Sequence, residues 1–512
     1  MAKRHIEPTD EQGAILPFVA LVLILLLGLA SFAVDLGWFY LNSTRIQRAA
    51  ESAALAGVIH MPQAYATKAE PTALQVAAAN GYIDGVDGAS ITVTDGLSWS
   101  EPNQLEVEIS DTVDTFLLRV LGRQNQTITR GAIAEYVPPL PLGSPESQFG
   151  NSCDPNEPGC TGQPNFWANM HGKYTDTRMG DAYSSYCEDG QGSGNEGCGE
   201  NISWRDPASS TRGAGYLYGI EGTAGNPFSI QFLDIVHHNI SAGVTTNDSW
   251  RTGDRGCEDW GDNNALCGQT VRTTLYGPDP SPLNLNGNVT LCVRDWDPEP
   301  QVAENIPYVW DSWCPITPPA DGLYVLQIEA LDPLDSPNPL ATAGWSGLNR
   351  YSVRATGGAR LYGLGDMSLY NNATGTTSDF YLAEVSDIYS GKNFVVELYD
   401  PGEANPGGWV EIKSPTGPGS WTDYASCRMS VRTSEAASWS SPTTLTPCRF
   451  FANNNGGVND YNGDWIKLEM TLSSYACGAD CWWKLNYDYS NNVNDTTTWK
   501  AYIIGNPVHL LK

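Results

Sequence analysis

The chain has 512 residues, which allows for about three or four domains, and its 28 Lys and Arg against 58 Asp and Glu give a formal net charge of −30. A chain this acidic has no basic stripe to meet phosphates, so nucleic acid is excluded as a partner. The 52 Gly, 33 Pro and 17% charged residues favour loop-rich β structure, and 41% hydrophobic residues suffice for packed cores.

The N-terminal region contains an apolar run of membrane length. From Ala14 to Val34 there are 21 consecutive residues without charge, and as a helix they would span roughly 31 Å. Asp35 ends the run, and the aromatic residues 38–40 follow, as is typical of a membrane–water interface. The run is longer than the apolar part of a signal peptide, which has about 7–15 residues. We therefore expect an uncleaved signal anchor that forms a transmembrane helix in the lipid bilayer.

The helix is predicted to continue to about His60. Small residues at Ala49, Ala53 and Gly57 recur at helical spacing and give this continuation one smooth face. The face could pack on the chain's own next domain, which is the favoured interpretation, or against a partner protein.

These parts together resemble the N-terminal region of TadE/TadG-like proteins of the tight-adherence (Flp-type) pilus assembly system. The matching pattern is A-V-D-L-G at residues 33–37, an aromatic cluster, and R-x-Q-x-A-A-E-x-A-A-L-A-G at residues 45–57. The resemblance is close over about 45 residues and extends more weakly to about residue 137. It implies a membrane protein of pilus assembly or surface attachment, with Tad pilus or secretion components as partners.

Five residues are candidates for anchoring or interaction: Asp35, Arg45, Ala49, Ala53 and Gly57. A carboxylate at the end of an apolar span is most often an interfacial charge, and a pairing role within the membrane is the alternative for Asp35. The family resemblance raises the weight of a functional role.

Residues 61–137 read as a small α/β domain, which the resemblance also implies, including F-L-L-R-V-L-G at residues 116–122 before the last strand. The predicted elements, in order, are a helix (Pro71–Gly81), two strands (Ala89–Thr94 and Leu105–Ser110), a helix (Thr112–Leu121) and a strand (Gln126–Tyr136).

An internal repeat occupies the C-terminal part of the chain. Gly215–Glu221 and Phe228–Asp234 parallel Phe380–Val385 and Phe394–Asp400, and Cys267–Thr273 parallels Cys427–Thr433. Short alternating strands between turn clusters predict two tandem disulfide-bonded, jelly-roll-like β-sandwich domains. The fold class is thus α+β and mainly β. The predicted divisions are a cytoplasmic tail (1–12), the transmembrane and amphipathic helix (13–60), the small α/β domain (61–137), a Pro-rich linker with a Cys/Gly-rich region (138–213), and the two sandwiches (214–356 and 357–512).

All 12 cysteines lie at or beyond Cys153, which predicts disulfides in an oxidising space. They also place the N-terminus in the cytoplasm and the rest outside. The repeat alignment pairs Cys267 with Cys292 and Cys427 with Cys448, which leaves Cys257 for Cys314. Closely spaced pairs complete the set, with zinc as the less favoured alternative for the last: Cys153/Cys160, Cys187/Cys198 and Cys477/Cys481.

No catalytic constellation is recognisable, so we expect a non-enzymatic protein without a cofactor. Acidic, Asn-rich loops at Asp254–Asn264, Asp295–Asp297 and Asn459–Asp464 leave a weak possibility of Ca²⁺, although solvated turns are the default. His237 and His238 are more simply a polar loop than a metal site. Fifteen of the 17 Trp lie beyond residue 150, so surface glycans are an alternative partner, as for a membrane-anchored lectin-like protein.

Overall fold

The structure of the chain is a computed structural model that describes most of the sequence in separate ranges. The described residues are 15–61, 65–96, 103–151, 165–171, 180–182, 215–236, 270–278, 285, 288–297, 309–331, 348–373, 377–403, 406–433, 438–453, 459–489, 493–505 and 508–511. The chain is mainly β, with a long N-terminal apolar helix. It divides into two compact units, unit 1 (residues 1–138 and 505–512) and unit 2 (residues 139–504).

Unit 1 is built on one long helix and a four-stranded antiparallel sheet. Helix α1 (Ile15–Val58) runs unbroken through the apolar segment and beyond Asp35, as the sequence predicts. A π-helical turn (Tyr65–Ala69) leads into α2 (Glu70–Ala79), which has Pro71 in its first turn, where a missing N–H costs little. The sheet has the order β1-β2-β3-β26, from strands β1 (Ser90–Asp95), β2 (Gln104–Asp114), β3 (Asn125–Tyr136) and β26 (Val508–Leu510).

The small-residue face of α1 forms the core of unit 1. The face packs against α2 and against the inward side chains of β2, whose burial alternates along the strand as expected for a sheet with one covered face. The intramolecular interpretation of this face is therefore confirmed. The fully buried members include Ala49, Ala50, Ala53, Ala54, Val58, Ala73, Ala77, Leu105, Val107 and Ile109.

The predicted helix Thr112–Leu121 is wrong. Residues 112–114 extend β2, where Ser110 and Thr112 lie opposite Thr129 and Thr127 of β3. β-branched residues favour this pleated surface, and cross-strand pairing overrides the weak helical pattern. Only Leu118–Leu121 is helical, as a single 3₁₀ turn in the β2–β3 connection.

The last strand of the chain belongs to unit 1, not to a second sandwich ending at residue 512. Strand β26 pairs antiparallel with β3, with Val508 opposite Tyr136, and the His509 imidazole Nε2 lies 3.2 Å from the Glu135 carboxylate. A three-residue strand carries too little periodicity to be assigned from sequence, because its partner lies more than 370 residues away. Unit 2 is therefore inserted between two adjacent strands of unit 1.

Unit 2 consists of two eleven-stranded antiparallel sheets, sheet B and sheet C. The strands are β4 (Pro141–Leu142), β5 (Gln148–Phe149), β6 (Asn165–His171), β7 (Tyr216–Gly222), β8 (Phe228–Leu233), β9 (Val271–Tyr276), β10 (Thr290–Trp296), β11 (Asp311–Ile316), β12 (Gly322–Ala330), β13 (Leu348–Ala355), β14 (Arg360–Leu364), β15 (Asp366–Ala373), β16 (Ser378–Glu384), β17 (Asn393–Tyr399), β18 (Gly408–Gly417), β19 (Ser420–Asp423), β20 (Cys427–Arg432), β21 (Thr443–Leu445), β22 (Arg449–Ala452), β23 (Trp465–Thr471), β24 (Trp482–Asp488) and β25 (Val493–Ile503). Sheet B has the order β10-β9-β12-β7-β14-β4-β16-β24-β18-β19, with β22 also pairing β18; sheet C has the order β11-β8-β13-β6-β15-β25-β17-β23-β20-β21, with β5 also pairing β13.

Aromatic side chains fill the space between the two sheets. Phe394 of β17 packs edge-on against Trp483 of β24, with ring centroids 5.0 Å apart. Phe380 of β16 packs against Trp499 of β25 at 5.3 Å. These pairs join opposite sheets, so the architecture is β-sandwich-like and its tryptophans contribute to the core.

The two predicted repeats share both sheets. Strand β4, from the segment predicted as a Pro-rich linker, pairs with β14 and β16, and Leu142 within it is fully buried. Strand β6, from the Cys/Gly-rich region, lies between β13 and β15. Hydrogen bonding therefore continues from the first repeat to the second in each sheet.

The internal repeat is present, but its later strands correspond differently from the sequence alignment. The order β10-β9-β12-β7 in the first repeat matches β19-β18-β24-β16 in the second. Strand β9 therefore corresponds to β18, whereas the sequence alignment paired it with β20, which lies in the opposite sheet. The second repeat contains additional strands, and these shifted the sequence alignment of the strands that follow.

Three disulfides are present in the described part of the chain: Cys292–Cys314, Cys427–Cys448 and Cys477–Cys481. The Cys427–Cys448 pairing is as predicted, and the closely spaced pair forms a disulfide rather than a zinc site. The predicted pairs Cys267–Cys292 and Cys257–Cys314 are wrong, because Cys292 and Cys314 lie in edge strands of opposite sheets with Cα atoms 6.0 Å apart. The remaining cysteines lie outside the described residues: Cys153, Cys160, Cys187, Cys198, Cys257 and Cys267.

Candidate functional site

The candidate site is the point on unit 1 where the apolar part of α1 ends. Asp35 lies there with no exposed surface, although its neighbours in α1 are largely exposed. Its carboxylate accepts hydrogen bonds from three consecutive backbone N–H groups. These come from Phe116 (2.7 Å), Leu117 (3.1 Å) and Leu118 (2.6 Å). A buried carboxylate with several N–H donors is satisfied in the way that burial of a charge requires.

The β2–β3 connection, residues 115–124, is folded so that these N–H groups converge on Asp35. The Thr115 hydroxyl donates to the Gln124 carbonyl at 3.1 Å, and the Arg119 Nε donates to the Thr115 carbonyl at 2.9 Å. The 3₁₀ turn ends at Gly122, whose φ of 86° lies in the left-handed region that glycine adopts without strain. We call residues 115–124 the Asp35 loop.

An aromatic contact adds to these hydrogen bonds. The Trp38 ring, one turn beyond Asp35 on α1, packs edge-on against Phe116 with centroids 5.1 Å apart. Further along, the Arg130 Nε donates to the Ser43 hydroxyl at 2.8 Å and the Gln47 amide to the Gly131 carbonyl at 3.3 Å. Strand β3 thus runs alongside α1 in the direction away from Asp35, and the loop lies at the end of the sheet nearest Asp35.

The other candidate residues have different roles. Ala49 and Ala53 are buried in the core of unit 1, whereas Arg45 is exposed. Gly57 allows a close approach, since a Cβ there would lie 2.6 Å from the Leu105 Cδ2 and 2.8 Å from the Ala69 carbonyl oxygen. The structure therefore brings together Asp35 and the Asp35 loop, while Ala49, Ala53 and Gly57 act in internal packing.

The N-terminal half of α1 presents a continuous apolar surface. Its side chains from Phe18 to Val34 are mostly exposed, including Phe18 (70%) and Ile24 (70%). In the described part of the chain, α1 is the one helix long and apolar enough to cross a membrane. A surface of this size, exposed in water, would be strongly unfavourable, whereas a bilayer core accommodates it.

One of the predicted acidic loops is held by an ion pair within the protein. Asp295 forms a two-point ion pair with Arg272 at 2.7 and 2.8 Å. No group of three or more His, Cys, Asp or Glu suited to a metal occurs within the described ranges. The loop Asp254–Asn264, His237 and His238 lie outside them.

The tryptophans of the described part of unit 2 are mostly internal. Trp167, Trp465, Trp483 and Trp499 have no exposed surface, and Trp409 is the most exposed at 37%. Such burial favours a role in the core over stacking on sugar rings.

The sequence alone does not identify the partner of Asp35. The F-L-L-R-V-L-G segment was part of the family resemblance, but nothing in a linear pattern connects a carboxylate to backbone N–H groups over 80 residues away. The available signal is a Thr before an apolar turn that ends in Gly. This pattern predicts a local turn, but it does not predict which carboxylate accepts hydrogen bonds from that turn.

Comparison with known families gives a match at the N-terminal end of the chain. Residues 13–67 match a family model described as "Putative Flp pilus-assembly TadE/G-like". No curated protein matches the chain. The matched range covers the apolar run, Asp35 and the small-residue face of α1. The N-terminal region of this chain is therefore TadE/TadG-like.

Proposed function

We propose that this chain is a non-enzymatic, single-pass protein of the cytoplasmic membrane that serves a Tad/Flp-type pilus assembly or surface-attachment system. The observation that carries the proposal is the coincidence of the TadE/TadG-like match with one continuous structural feature. Residues 13–67 include both the exposed apolar half of α1 and the half that forms the core of unit 1. The region that resembles pilus-assembly proteins is therefore the region that joins membrane to folded protein.

In this function the N-terminus lies in the cytoplasm, and the folded units lie outside it. Three disulfides support this orientation, because such bonds persist in oxidising compartments. Lys3 and Arg4 before the span and Arg45 and Arg48 after it leave the positive-inside count balanced, so the support for this orientation comes from the cysteines.

The role of unit 2 is mechanical: it binds or braces a neighbouring component. Sheets continuous across both repeats resist separation, because many strand pairs would have to break together. Unit 2 is also held at both ends by neighbouring strands of unit 1, β3 and β26. A load on unit 2 is thus shared by two covalent connections.

Deleting the gene in the native host tests the proposal. We expect loss of surface pili or of surface attachment, restored by the full-length chain, and co-purification of a tagged chain with pilin or secretion components. Normal pili and attachment in the deletion strain would contradict it. Protease added to intact spheroplasts should digest a C-terminal tag and spare an N-terminal one, and the reverse pattern would refute the orientation.

A further inference from the structure

The Asp35 loop exposes two large apolar side chains although its backbone is firmly held. Phe116 is 49% and Leu117 41% exposed, while their N–H groups are fixed on Asp35. A short loop whose backbone is hydrogen-bonded to Asp35, and which turns adjacent large apolar side chains outward, indicates a surface that is covered by something apolar.

The position of the loop identifies what covers it. Asp35 directly follows 21 uncharged residues of α1, and the hydrogen bonds place the loop backbone within 3.1 Å of its carboxylate. If the apolar run spans the bilayer, the loop lies at the membrane–water boundary. Trp38, packed on Phe116, is the residue type that favours this depth.

Charge at the loop is opposite to the charge of the chain. The Asp35 loop contains Arg119 and Arg123 and no acidic residue, in a chain with a formal net charge of −30. Arg119 and Arg123 are exposed in the loop itself. Arg45 is ten residues beyond Asp35, about 15 Å along the helix, which exceeds the Debye length of about 8 Å at physiological salt. The loop arginines are therefore the cations best placed to meet lipid phosphates.

We propose that the Asp35 loop is a second membrane contact of this protein. Phe116 and Leu117 enter the boundary between headgroups and acyl chains, and Arg119 and Arg123 bind lipid phosphates, with a preference for anionic lipid. Asp35 is the positioning residue that holds the loop at this depth. The proposal rests on the membrane span of the proposed function and adds that unit 1 is attached to the bilayer at two points, which fixes its orientation.

Photo-crosslinking of the full-length chain in lipid nanodiscs tests this contact. The discs contain equal parts of phosphatidylcholine and phosphatidylglycerol, and p-benzoylphenylalanine replaces one leucine at a time: Leu25, Leu117 or Leu511. Leu25 lies in the apolar run. Leu511 is the matched control, because it is 48% exposed on unit 1 but lies far from Asp35. Its backbone N–H donates to the Ile133 carbonyl, two residues beyond the Gly131 carbonyl that accepts from Gln47. Gln47 is about 18 Å beyond Asp35 along α1.

We expect lipid adducts at positions 25 and 117, and on the order of tenfold fewer at position 511. Adducts at position 25 with position 117 no higher than position 511 would overturn the loop contact and leave the membrane span intact. Absence of adducts at position 25 would overturn both. In cells, adducts of position 117 with a protein instead of lipid would also refute the proposal.

The proposed binding of lipid phosphates by the loop arginines is tested separately, by the lipid class found in the adducts. Adducts at position 117 should be enriched in phosphatidylglycerol over phosphatidylcholine, and Arg123→Gln should reduce the enrichment by about fivefold. Lys392→Gln, a substitution in unit 2, provides a control that changes net charge equally. Equal labelling of the two lipids in the unsubstituted chain would rule out the assigned role of the arginines.

Discussion

The Asp35 carboxylate accepts a hydrogen bond from the backbone N–H of Leu118, 83 residues further along the chain, at 2.6 Å. Together with the hydrogen bonds from Phe116 and Leu117, it connects the end of the apolar run to the loop between β2 and β3 of unit 1. A residue that sequence reasoning would treat as an interfacial charge is thus a structural link between the anchor and the folded unit.

Replacing Asp35 should release the loop. In Asp35→Ala, the amides of Phe116, Leu117 and Leu118 lose their acceptor, so their hydrogen exchange should accelerate by about tenfold or more. Exchange mass spectrometry of the full chain in nanodiscs measures this. Amides of Val107 and Glu108 in β2 serve as the internal control and should not change. Equal exchange in both proteins would show that the loop does not depend on Asp35.

Substituting Gly57 should destabilise unit 1. In Gly57→Ala, the new methyl would lie 2.6 Å from the Leu105 side chain and 2.8 Å from the Ala69 carbonyl, and overpacking of this kind costs about 1–3 kcal/mol. Gly37→Ala on the same helix meets nothing within 4 Å and is the matched control. Thermal unfolding of the two variants should differ, with Gly57→Ala the less stable. A wild-type midpoint for Gly57→Ala would contradict the close packing.

Removing the C-terminal strand should weaken unit 1 although the strand lies far away in sequence. Deletion of residues 508–512 exposes the edge of β3 and removes His509 from Glu135, a loss on the order of 1–3 kcal/mol. Limited proteolysis should then cut β3 faster. The variant His509→Gln keeps the strand and should show a smaller effect. If β3 of the truncated protein resisted proteolysis as well as β3 of the full-length chain does, the result would argue against the pairing of β26 with β3.

The disulfides should differ in how much each contributes to the free energy of unfolding. Cys292–Cys314 closes 22 residues and Cys477–Cys481 only 4, so loop-closure entropy gives about 3 and about 2 kcal/mol respectively. Denaturant unfolding of the two double-serine variants should follow this order. Peptide mapping of the native chain should link Cys292 to Cys314, and a link from Cys292 to Cys267 would restore the repeat-based pairing.

Unit 2 should lose stability as pH rises from about 4.5 to about 7. Burial raises the pKa of Glu329 in β12 to about 7 from 4.5, with Arg272 opposing and Asp295 reinforcing the shift. The folded state therefore holds a proton that the unfolded state has released, and stability falls with pH across this interval. Glu329→Gln should reduce this slope in urea unfolding. The pKa of Asp464, raised to about 6 by burial and Asp460, leaves a residual slope of the same sign.

Local patterns predicted the elements whose partners are near or whose periodicity is long. The 44 residues of α1 and the strands β1, β2 and β3 of unit 1 follow directly from apolar runs and alternation. The predicted helix at Thr112–Leu121 failed because cross-strand pairing with β3, not local propensity, decides residues 112–114. The repeat was recognisable in β7 and β8, but the extra strands of the second repeat misaligned what followed.

The candidate site was only half predictable. Asp35 stood out because a carboxylate after an apolar run is chemically conspicuous, whereas backbone N–H groups carry no sequence signature. The small face at Ala49 and Ala53 allowed an internal or an external partner, and their burial against α2 and β2 decided for the internal one.

The sequence by itself determined that this protein has a membrane-length helix, a TadE/TadG-like N-terminal region and mainly β structure, because each of these depends on composition and short-range periodicity. Tertiary structure alone decided the partner of Asp35, the pairing of Cys292 with Cys314, and the return of residues 508–510 to the sheet of unit 1. These depend on contacts between residues far apart in the chain, and their free energy comes from burial and hydrogen bonding that exist only once both partners are folded.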